Sequence, residues 1–381
     1  MRYRELGNTG LRVSEVGFGA EWIGEMTEDA RHEVMRAFDG AGVNIVDCWM
    51  ADPEVRSALG RMLAPYRDHW IIQGHIGSTW QDGQYVRTRE MDKVIPAFED
   101  ELERLQTDHF ELGMIHYVDD VDEYEAIMAG PFWEYVVSLK AAGTIHRVGL
   151  STHNPEVGLL AARSGKIEMI MFSINPAFDM MPATNDIEDL FAETYDLRLS
   201  GIEPVRAELY ATCEREGVGI TVMKGYAGGR LLDAQASPFG VALSVPQCIH
   251  YALTRPAAAS VLVGVSDVSQ VYDALAYFSA SEDDLDYGRV LANAPAHSYV
   301  GQCTYCGHCQ PCTTGINIAL ANKFYDLAST QDMPPASVRA HYLDMDAVAS
   351  DCMACGNCEP RCPFGVKIVE QMEATAALFG A

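Results

Sequence analysis

The first 285 residues alternate short apolar segments with longer amphipathic ones, and no other feature of the chain limits its possible folds as strongly. Apolar runs of strand length indicate buried strands, and the spacing of apolar residues in 91–105 and 123–143 indicates helices. Strands are predicted at residues 15–19, 43–48, 70–75, 110–117, 146–151, 167–173, 217–224 and 259–264. Eight strands that alternate with helices predict an α/β fold, a (β/α)8 TIM barrel, and the preceding segment RYRELGNTGLRVS predicts an N-terminal hairpin.

Polar side chains follow several of these strands at their C-terminal ends, where the active site of such a barrel lies. Asp47, His75 and His116 are the polar residues at three such ends, and we predict that they are catalytic, together with Asp52 and Tyr117. Histidine suits this role because its pKa lies near neutral pH. Further strand ends carry Glu21, Ser151, His153, Asn175, Lys224 and Gly264.

Eight of the eleven cysteines form two clusters near the end of the chain, CTYCGHCQPC (303–312) and CMACGNCEPRCP (352–363). The second has the C-x2-C-x2-C-x3-C-P pattern of bacterial ferredoxins, in which the fourth cysteine binds the other cluster. A zinc site would need a longer gap between cysteine pairs. We therefore predict one [4Fe–4S] cluster on Cys303, Cys306, Cys309 and Cys362, and a second on Cys312, Cys352, Cys355 and Cys358.

The composition limits the partners and the compartment. The chain has 54 acidic and 27 basic side chains and a formal net charge of −27, so we expect neither a nucleic acid nor a membrane partner. No apolar run is long enough for a membrane helix, and the start MRYRELGNTG lacks the apolar core of a signal peptide. Many cysteines without an export signal favour metal ligands over disulfides, so we predict a cytoplasmic protein.

Five segments resemble sequences of aldo-keto reductases: MRYRELGNTGLRVSEVGFGA, GVNIVDCW, LERLQTDHFELGMIH, GTIHRVGLSTHNPE and GVGITVMKGYAGGRLL. With the two ferredoxin-type motifs, the chain is similar to the branch of that family that carries a C-terminal iron–sulfur domain. The resemblance covers essentially the whole chain. It implies a barrel at residues 1–285 and a small α-helical, ferredoxin-like domain with two [4Fe–4S] clusters at residues 286–381.

The resemblance also implies a catalytic pattern that this chain keeps only in part. The family uses an Asp, a Tyr, a Lys and a His, and the Tyr donates a proton to the substrate carbonyl while a nicotinamide delivers hydride. Asp47 and His116 match the Asp and the His of the family. Asp52 stands at the position of the Tyr and His75 at that of the Lys, so two of the four residues differ.

The cofactor positions depart from the family pattern as well. The pair that contacts the nicotinamide amide is Ser151-Thr152 here, and Met171 stands at the position of a glutamine. Asp267 and Gln270 stand where basic residues contact the adenine-side phosphate, so we predict that NADPH binds weakly or not at all and that NADH is affected less. Three candidate cofactor-binding residues remain: Ser151, Lys224 and Gly264.

Several functions are consistent with these residues. In the first, which we favour, an iron–sulfur oxidoreductase passes electrons through two clusters to or from a small carbonyl or hydroxy substrate and exchanges them with a redox partner protein. In the second, a nicotinamide-dependent aldo-keto reductase uses a rebuilt site. A third is a lyase, isomerase or hydrolase that requires a divalent metal on Asp47, Asp52, His75 and His116. A fourth is a partner-binding subunit with an inactive pocket.

Overall fold

The computed structural model describes residues 1–191, 201–294, 301–329, 334 and 336–381. The strands within these residues are β1 (Tyr3–Glu5), β2 (Arg12–Ser14), β3 (Val16–Gly19), β4 (Ile45–Cys48), β5 (Ile71–Ile76), β6 (Ser78–Gln81), β7 (Gln84–Arg87), β8 (Phe110–Ile115), β9 (Ile145–Thr152), β10 (Met169–Ser173), β11 (Gly219–Met223) and β12 (Ala258–Gly264). The α-helices are α1 (Glu28–Ala41), α2 (Pro53–Leu63), α3 (Met91–Arg104), α4 (Val121–Ala129), α5 (Pro131–Ala142), α6 (Pro155–Arg163), α7 (Pro204–Glu216), α8 (Val245–Leu253), α9 (Val268–Leu275), α10 (Tyr287–Ala292), α11 (Ile318–Ser329), α12 (Ala336–Leu343) and α13 (Ile368–Phe379).

Eight of these strands form a closed parallel barrel in the order β3-β4-β5-β8-β9-β10-β11-β12, and β12 pairs with β3 to close it. Each strand predicted from the sequence overlaps one barrel strand, so the predicted (β/α)8 fold is confirmed. The predicted N-terminal hairpin is also present, as the antiparallel pair β1–β2. It lies at the N-terminal end of the barrel, where the backbone N–H of Asn8 donates to the carbonyl of Gly217 at 2.7 Å.

Two local features differ from the sequence prediction. The helix predicted over residues 123–143 is wrong as a single element, because α4 ends at Ala129, Gly130 caps it, and α5 begins at Pro131. Proline lacks a backbone N–H and fits the first turn of a helix, which favours a new start at this position. The second difference is the antiparallel hairpin β6–β7, which directly follows β5 and was not predicted.

The barrel interior changes from apolar to polar along its axis. Toward the N-terminal ends of the strands it is filled by side chains such as Ile45, Leu112 and Met169, and the hairpin adds Leu6 and Val13. Toward the C-terminal ends the buried side chains include Asp47, Gln73, His75, His116, Ser151 and Ser173. Burying polar groups costs free energy unless they are hydrogen-bonded, so this polar layer needs an internal network of partners.

The C-terminal region has two similar halves, each a cysteine loop followed by a helix. Tyr305 and Ala354, which precede the second cysteine of each loop, have φ of 61° and 51°. Gly307 and Gly356, which follow that cysteine, have φ of 82° and 71°. The first loop leads to α11 and the second to α13, and these two helices pack against each other. The repeated backbone conformation indicates that both loops are shaped to surround similar groups.

The first cysteine loop is fixed to the flank of the barrel. Arg255, which is 1% exposed, donates from Nη2 to the carbonyl of Thr304 at 2.7 Å, and the Tyr287 hydroxyl donates to the same carbonyl at 2.6 Å. Helix α11 also packs against α7.

The domain boundary after residue 285 stays a prediction. Every helix in the described part of the chain is too short or too polar to span a membrane.

Candidate active site

Three predicted catalytic residues form a hydrogen-bonded chain inside the barrel mouth. Asp47 lies in β4, His75 lies in β5, and His116 directly follows β8. His75 Nε2 lies 2.8 Å from Asp47 Oδ1, and His75 Nδ1 lies 2.8 Å from His116 Nδ1. All three side chains are buried. The structure therefore joins them into one unit.

Hairpin β6–β7 supplies a fourth member, Tyr85. Its hydroxyl lies 2.6 Å from His116 Nε2. The ring of Trp49 stacks on His116, with 6.2 Å between centroids and 9° between planes, and meets the edge of Tyr85. Sequence reasoning missed Tyr85, because it considered only strand ends. We call Asp47, His75, His116 and Tyr85 the relay.

A signal for this hairpin does exist in the sequence. Asp82 and Gly83 connect β6 to β7 and have φ of 51° and 81°. An Asp-Gly pair between two strand-like segments is a strong indicator of a two-residue hairpin turn, because both central residues need positive φ. Reading this turn would have predicted a hairpin beside the barrel mouth, but not the contact of Tyr85 with His116.

One arrangement of protons satisfies every hydrogen bond of the relay. With Asp47 ionised, His75 donates from Nε2 to the carboxylate and accepts at Nδ1 from the Nδ1–H of His116; His116 Nε2 then accepts from the Tyr85 hydroxyl. Burial lowers the pKa of His116 well below its usual value and raises the pKa of Tyr85 to about 12, so both are neutral near pH 7. The relay can thus move a proton between the half-buried Tyr85 oxygen and the barrel interior.

A buried ion pair beneath the relay holds His75 in place. Glu101 accepts the backbone N–H of His75 at 3.1 Å through Oε1, and Arg56 Nη2 lies 3.1 Å from Glu101 Oε2. The side chains of Arg56 and Glu101 are 1% and 0% exposed. Burial raises the pKa of Glu101, and the charge of Arg56 opposes that shift. On the other side, Gln73 Nε2 donates to Asp47 Oδ1 at 2.9 Å.

We expect the variant Arg56→Met to destabilise the barrel strongly. It leaves Glu101 buried without its cation, and breaking a buried pair from one side costs about 3–5 kcal/mol. The measurement is the apparent melting temperature by circular dichroism, with Arg61→Met as the control, since Arg61 lies on the same helix with its side chain 46% exposed. Equal melting temperatures for the two variants would contradict this account of the ion pair.

Tyr117 and Ser151 lie beside the relay and hold the loop after β8. Tyr117 has φ of 47°, and its backbone N–H donates to Ser151 Oγ at 2.7 Å. The carbonyl of Tyr117 accepts from Arg87 and Arg89, at 2.8 and 2.9 Å. The ring of Tyr117 meets the edge of His153 at 5.1 Å. The Ser151 hydroxyl, a predicted cofactor contact, therefore already accepts a hydrogen bond from the backbone of Tyr117.

The other rim residues named from the sequence have different surroundings. Asp52 caps α2, since its Oδ1 accepts the N–H of Glu54 at 2.8 Å. Lys224 has φ of 56°, and its Nζ lies 5.7 Å from the ring centroid of Phe191. Burial raises the pKa of Glu21, while the charge of Lys224 opposes that shift. The structure therefore gives Asp52 a helix-capping contact. It also puts the carboxyl group of Glu21 near the ammonium group of Lys224 at the mouth.

The partly exposed side chain of Trp22 lies against Gly264 at the end of β12. A Cβ atom added at Gly264 would lie 3.1 Å from Cδ1 of Trp22, so the indole lies directly over this glycine. Asp267 caps α9, and its Oδ1 accepts the N–H groups of Ser269 and Gln270 at 2.7 and 3.2 Å. Such helix N-terminal amides are the usual partners of phosphate. Here a carboxylate of the chain itself occupies them.

The eight clustered cysteines line two cavities. The first encloses about 300 Å³, partly open to solvent, and its lining includes Cys303, Cys306, Cys309 and Cys362. The second encloses about 370 Å³, also partly open, and its lining includes Cys312, Cys352, Cys355 and Cys358. The structure thus groups the cysteines into the same two sets as the sequence analysis, and their role as ligands stays a prediction. We call these cavities the inner and the outer cysteine site, respectively, because Cys355 in the second is exposed.

The donor chemistry of both sites fits [4Fe–4S] clusters. All eight cysteines are free thiols, and thiolates are the ligands that such clusters use. Burial raises the pKa of Cys303 and of Cys309 to about 12, so thiolates there need a bound cation. Asn322 Nδ2 donates to Cys303 Sγ at 3.4 Å, and His308 Nδ1 lies 3.3 Å from Cys306 Sγ. Polar groups around the sulfurs are the usual outer shell of such sites.

The relay residues do not form a metal site in this structure. Each ring nitrogen of His75 and His116 already has a protein partner within 2.8 Å. Across the described ranges, the one group of three ligand-type side chains whose ligand atoms all lie within 4.8 Å of one another is elsewhere, at His109, Glu111 and His146. The geometry therefore does not favour the metal-dependent lyase or isomerase hypothesis for the mouth.

The barrel, its polar mouth and the two cysteine sites define a barrel enzyme joined to an iron–sulfur region. Residues 15–292 match the model of the aldo/keto reductase family, and residues 299–366 match that of a 4Fe–4S dicluster domain. Because the first match spans more than half of the chain, the chain belongs to the aldo/keto reductase family. It is an oxidoreductase, and the iron–sulfur region places it in the predicted branch.

Individual relatives agree with this assignment. The chain is 26% identical over 286 residues to the uncharacterized oxidoreductase YqkF of Bacillus subtilis, a match that covers 71% of this chain and 89% of YqkF. It is 26% identical over 165 residues to the aldo-keto reductase YhdN of the same organism, which covers 41% of this chain and about half, 48%, of YhdN. The solved structure of aldo-keto reductase AKR11C1 from Bacillus halodurans, a holo form, shares the fold with a TM-score of 0.58 and 22% identity, covering 74% of this chain and 92% of that one.

Proposed function

We propose that this protein is an iron–sulfur oxidoreductase that interconverts a small carbonyl compound and its alcohol, with electrons that pass through two [4Fe–4S] clusters. The observation that carries the proposal lies after β12, where Asp267 accepts the first N–H groups of α9 and Trp22 lies against Gly264. A chain that does not bind a dinucleotide phosphate here needs another electron source. The two cysteine sites supply one, since each cluster carries electrons singly when bound.

The relay supplies the protons that the reaction requires. Reducing a carbonyl to an alcohol consumes two electrons and two protons, one of which goes to oxygen. Tyr85 lies at the outer end of the relay and donates its proton to that oxygen. The phenolate then takes a proton from His116 Nε2, His116 takes one from His75, and His75 takes one from Asp47. This step therefore starts with Asp47 protonated and each hydrogen directed outward, the reverse of the arrangement given above, and the proton on carbon comes from water. A proton-transfer group in this position typically contributes roughly 10²–10⁴ to the rate. Lys224 near the mouth provides a cation for an anionic substrate group.

Electrons enter or leave through the outer cysteine site in this proposal. Cys355 is exposed there, and the neighbouring Met353 is 61% exposed. The inner site is instead held against the barrel by Arg255 and Tyr287. A redox partner protein would therefore contact the second cysteine loop. Substituting Met353 with glutamate should slow electron exchange with such a partner and leave the iron content unchanged.

The proposal is tested by mixing dithionite-reduced protein, freed of excess reductant, with small aldehydes and ketones under anaerobic conditions. Reoxidation of the clusters, followed by their visible absorbance, and formation of the alcohol are expected for at least one compound. A matched sample of oxidised protein with NADH tests the second hypothesis. Turnover that requires NADH and leaves the cluster absorbance unchanged would overturn the proposal.

We predict that NADPH does not bind at micromolar concentration and that NADH binds only marginally better. The carboxylate of Asp267 repels the phosphates and already satisfies the amides that would hold them. Calorimetry at physiological salt measures both affinities. The variant Asp267→Ser removes the negative charge at this position and keeps a side chain that can cap the helix. It should improve the binding of both nucleotides. A micromolar dissociation constant for NADPH with the unchanged protein would contradict the prediction.

A further inference from the structure

Three side chains that can bind a metal converge at the opposite end of the barrel from the relay. His109 precedes β8, Glu111 lies in β8, and His146 lies in β9, all near the N-terminal ends of these strands. One ligand atom from each lies within 4.8 Å of the other two. His109 Nε2 lies 3.2 Å from Glu111 Oε1, and the rings of His109 and His146 stack with their centroids 4.7 Å apart.

The neighbouring groups orient two of these side chains toward a common point. Asp108 Oδ1 lies 2.7 Å from His109 Nδ1 and accepts that N–H. The lone pair of Nε2 then faces Glu111 Oε1 at 3.2 Å, so two acceptors meet without a hydrogen between them, a contact that a bound cation would bridge. The backbone N–H of Ile72 donates to Glu111 Oε2 at 2.8 Å and fixes the carboxylate. A carboxylate behind a ligating histidine and a hydrogen bond to a ligating carboxylate are the usual outer shell of a protein metal site.

The local charge also allows a cation. Arg67 contacts both oxygens of Glu111, at 3.0 and 3.3 Å, and is the opposing positive charge. Asp108 and Glu111 together carry two negative charges when the histidines are neutral, so the group keeps one net negative charge beside Arg67. Asp108 is almost fully exposed, whereas Glu111 is mostly buried, which gives the proposed ion one firmly held oxygen ligand.

We propose that His109, Glu111 and His146 bind one divalent transition-metal ion, Zn²⁺ in particular. Two imidazoles and a carboxylate are ligands that Zn²⁺ prefers, and a water completes a tetrahedral site. The site joins the starts of β8 and β9, which are neighbouring strands. The N-terminal face of such a barrel serves stability, so the ion is expected to stabilise the fold and to take no part in the reaction at the mouth.

The experiment is a titration of the anaerobic, cluster-containing protein with Zn²⁺ in a calorimeter. We expect one zinc ion per chain bound at micromolar concentration, together with a higher apparent melting temperature and unchanged cluster absorbance. His146→Ala should weaken binding by at least roughly 100-fold, because it removes a ligand rather than an outer-shell partner. Asp108→Asn should weaken it by roughly 10-fold, since its side chain is only an outer-shell partner.

His32→Ala is the matched control, because His32 is an exposed histidine on α1 beside another glutamate, Glu28. It should bind zinc like the unchanged protein. Anomalous scattering at the zinc edge should then place the ion between His109 and His146. Zinc binding that is the same in His146→Ala, that occurs only at millimolar concentration, or that bleaches the clusters would overturn the proposed site, and none of these outcomes bears on the proposed redox function.

Discussion

Replacing Tyr85 with phenylalanine is expected to lower turnover by roughly 10²–10⁴, with both clusters and the fold intact. The change removes only the hydroxyl, which lies 2.6 Å from His116 Nε2 and is the outermost proton-carrying atom of the relay. The substrate oxygen then has no donor, while the ring still fills its place against Trp49. We expect kcat to fall and KM to change little, because the lost interaction acts on the transition state.

The measurement is the rate at which the active carbonyl compound reoxidises the reduced clusters, taken over a range of pH. Tyr272→Phe is the control, since Tyr272 lies on α9 and is 60% exposed. His116→Gln should cause a loss similar to that of Tyr85→Phe, and the double variant should lose little more, because both residues act in one chain. Tyr117→Phe should cost less than either. If Tyr117→Phe is the damaging change and Tyr85→Phe is harmless, the proton donor has been misassigned.

The barrel could be predicted from the sequence because a short stretch of residues is enough to indicate each of its strands. A strand buried on both faces reads as an apolar run, and each of the eight runs gave a barrel strand. Gly130-Pro131 is a local signal for the break between α4 and α5, but the apolar spacing typical of one helix continues across it. Element ends differ by a few residues, since the hydrogen bonds that define them depend on neighbouring strands.

The relay was predictable only in part, for a physical reason. Asp47, His75 and His116 follow from the rule that active-site residues lie at strand ends. Tyr85 reaches the same point from a hairpin outside the barrel, and only the packing of that hairpin against Trp49 puts its hydroxyl on His116. Trp22 over Gly264 is a similar case. Contacts between loops depend on tertiary geometry, which spacing along the chain does not contain.

The two cysteine sites predict a defined content of iron and sulfide. The protein purified without oxygen should contain about eight iron and eight sulfide per chain, and Cys362→Ala should reduce both to about four. Although Cys362 lies in the second motif, it lines the inner site together with Cys303, Cys306 and Cys309. Its removal should therefore destroy the cluster of the first motif and leave that of the outer site.

Double variants distinguish this crossed arrangement from one in which each motif binds its own cluster. Cys306→Ala combined with Cys362→Ala removes two ligands of one site, so about four iron should remain, whereas Cys355→Ala combined with Cys362→Ala should leave almost none. If the motifs were uncrossed, the two results would be exchanged. Cys248→Ala is the control, since Cys248 is buried in the barrel core away from both sites and should keep all iron. Protease should cut the C-terminal region first in the variants that lose both clusters, because the cysteine loops then lose the bound group that fixes their conformation.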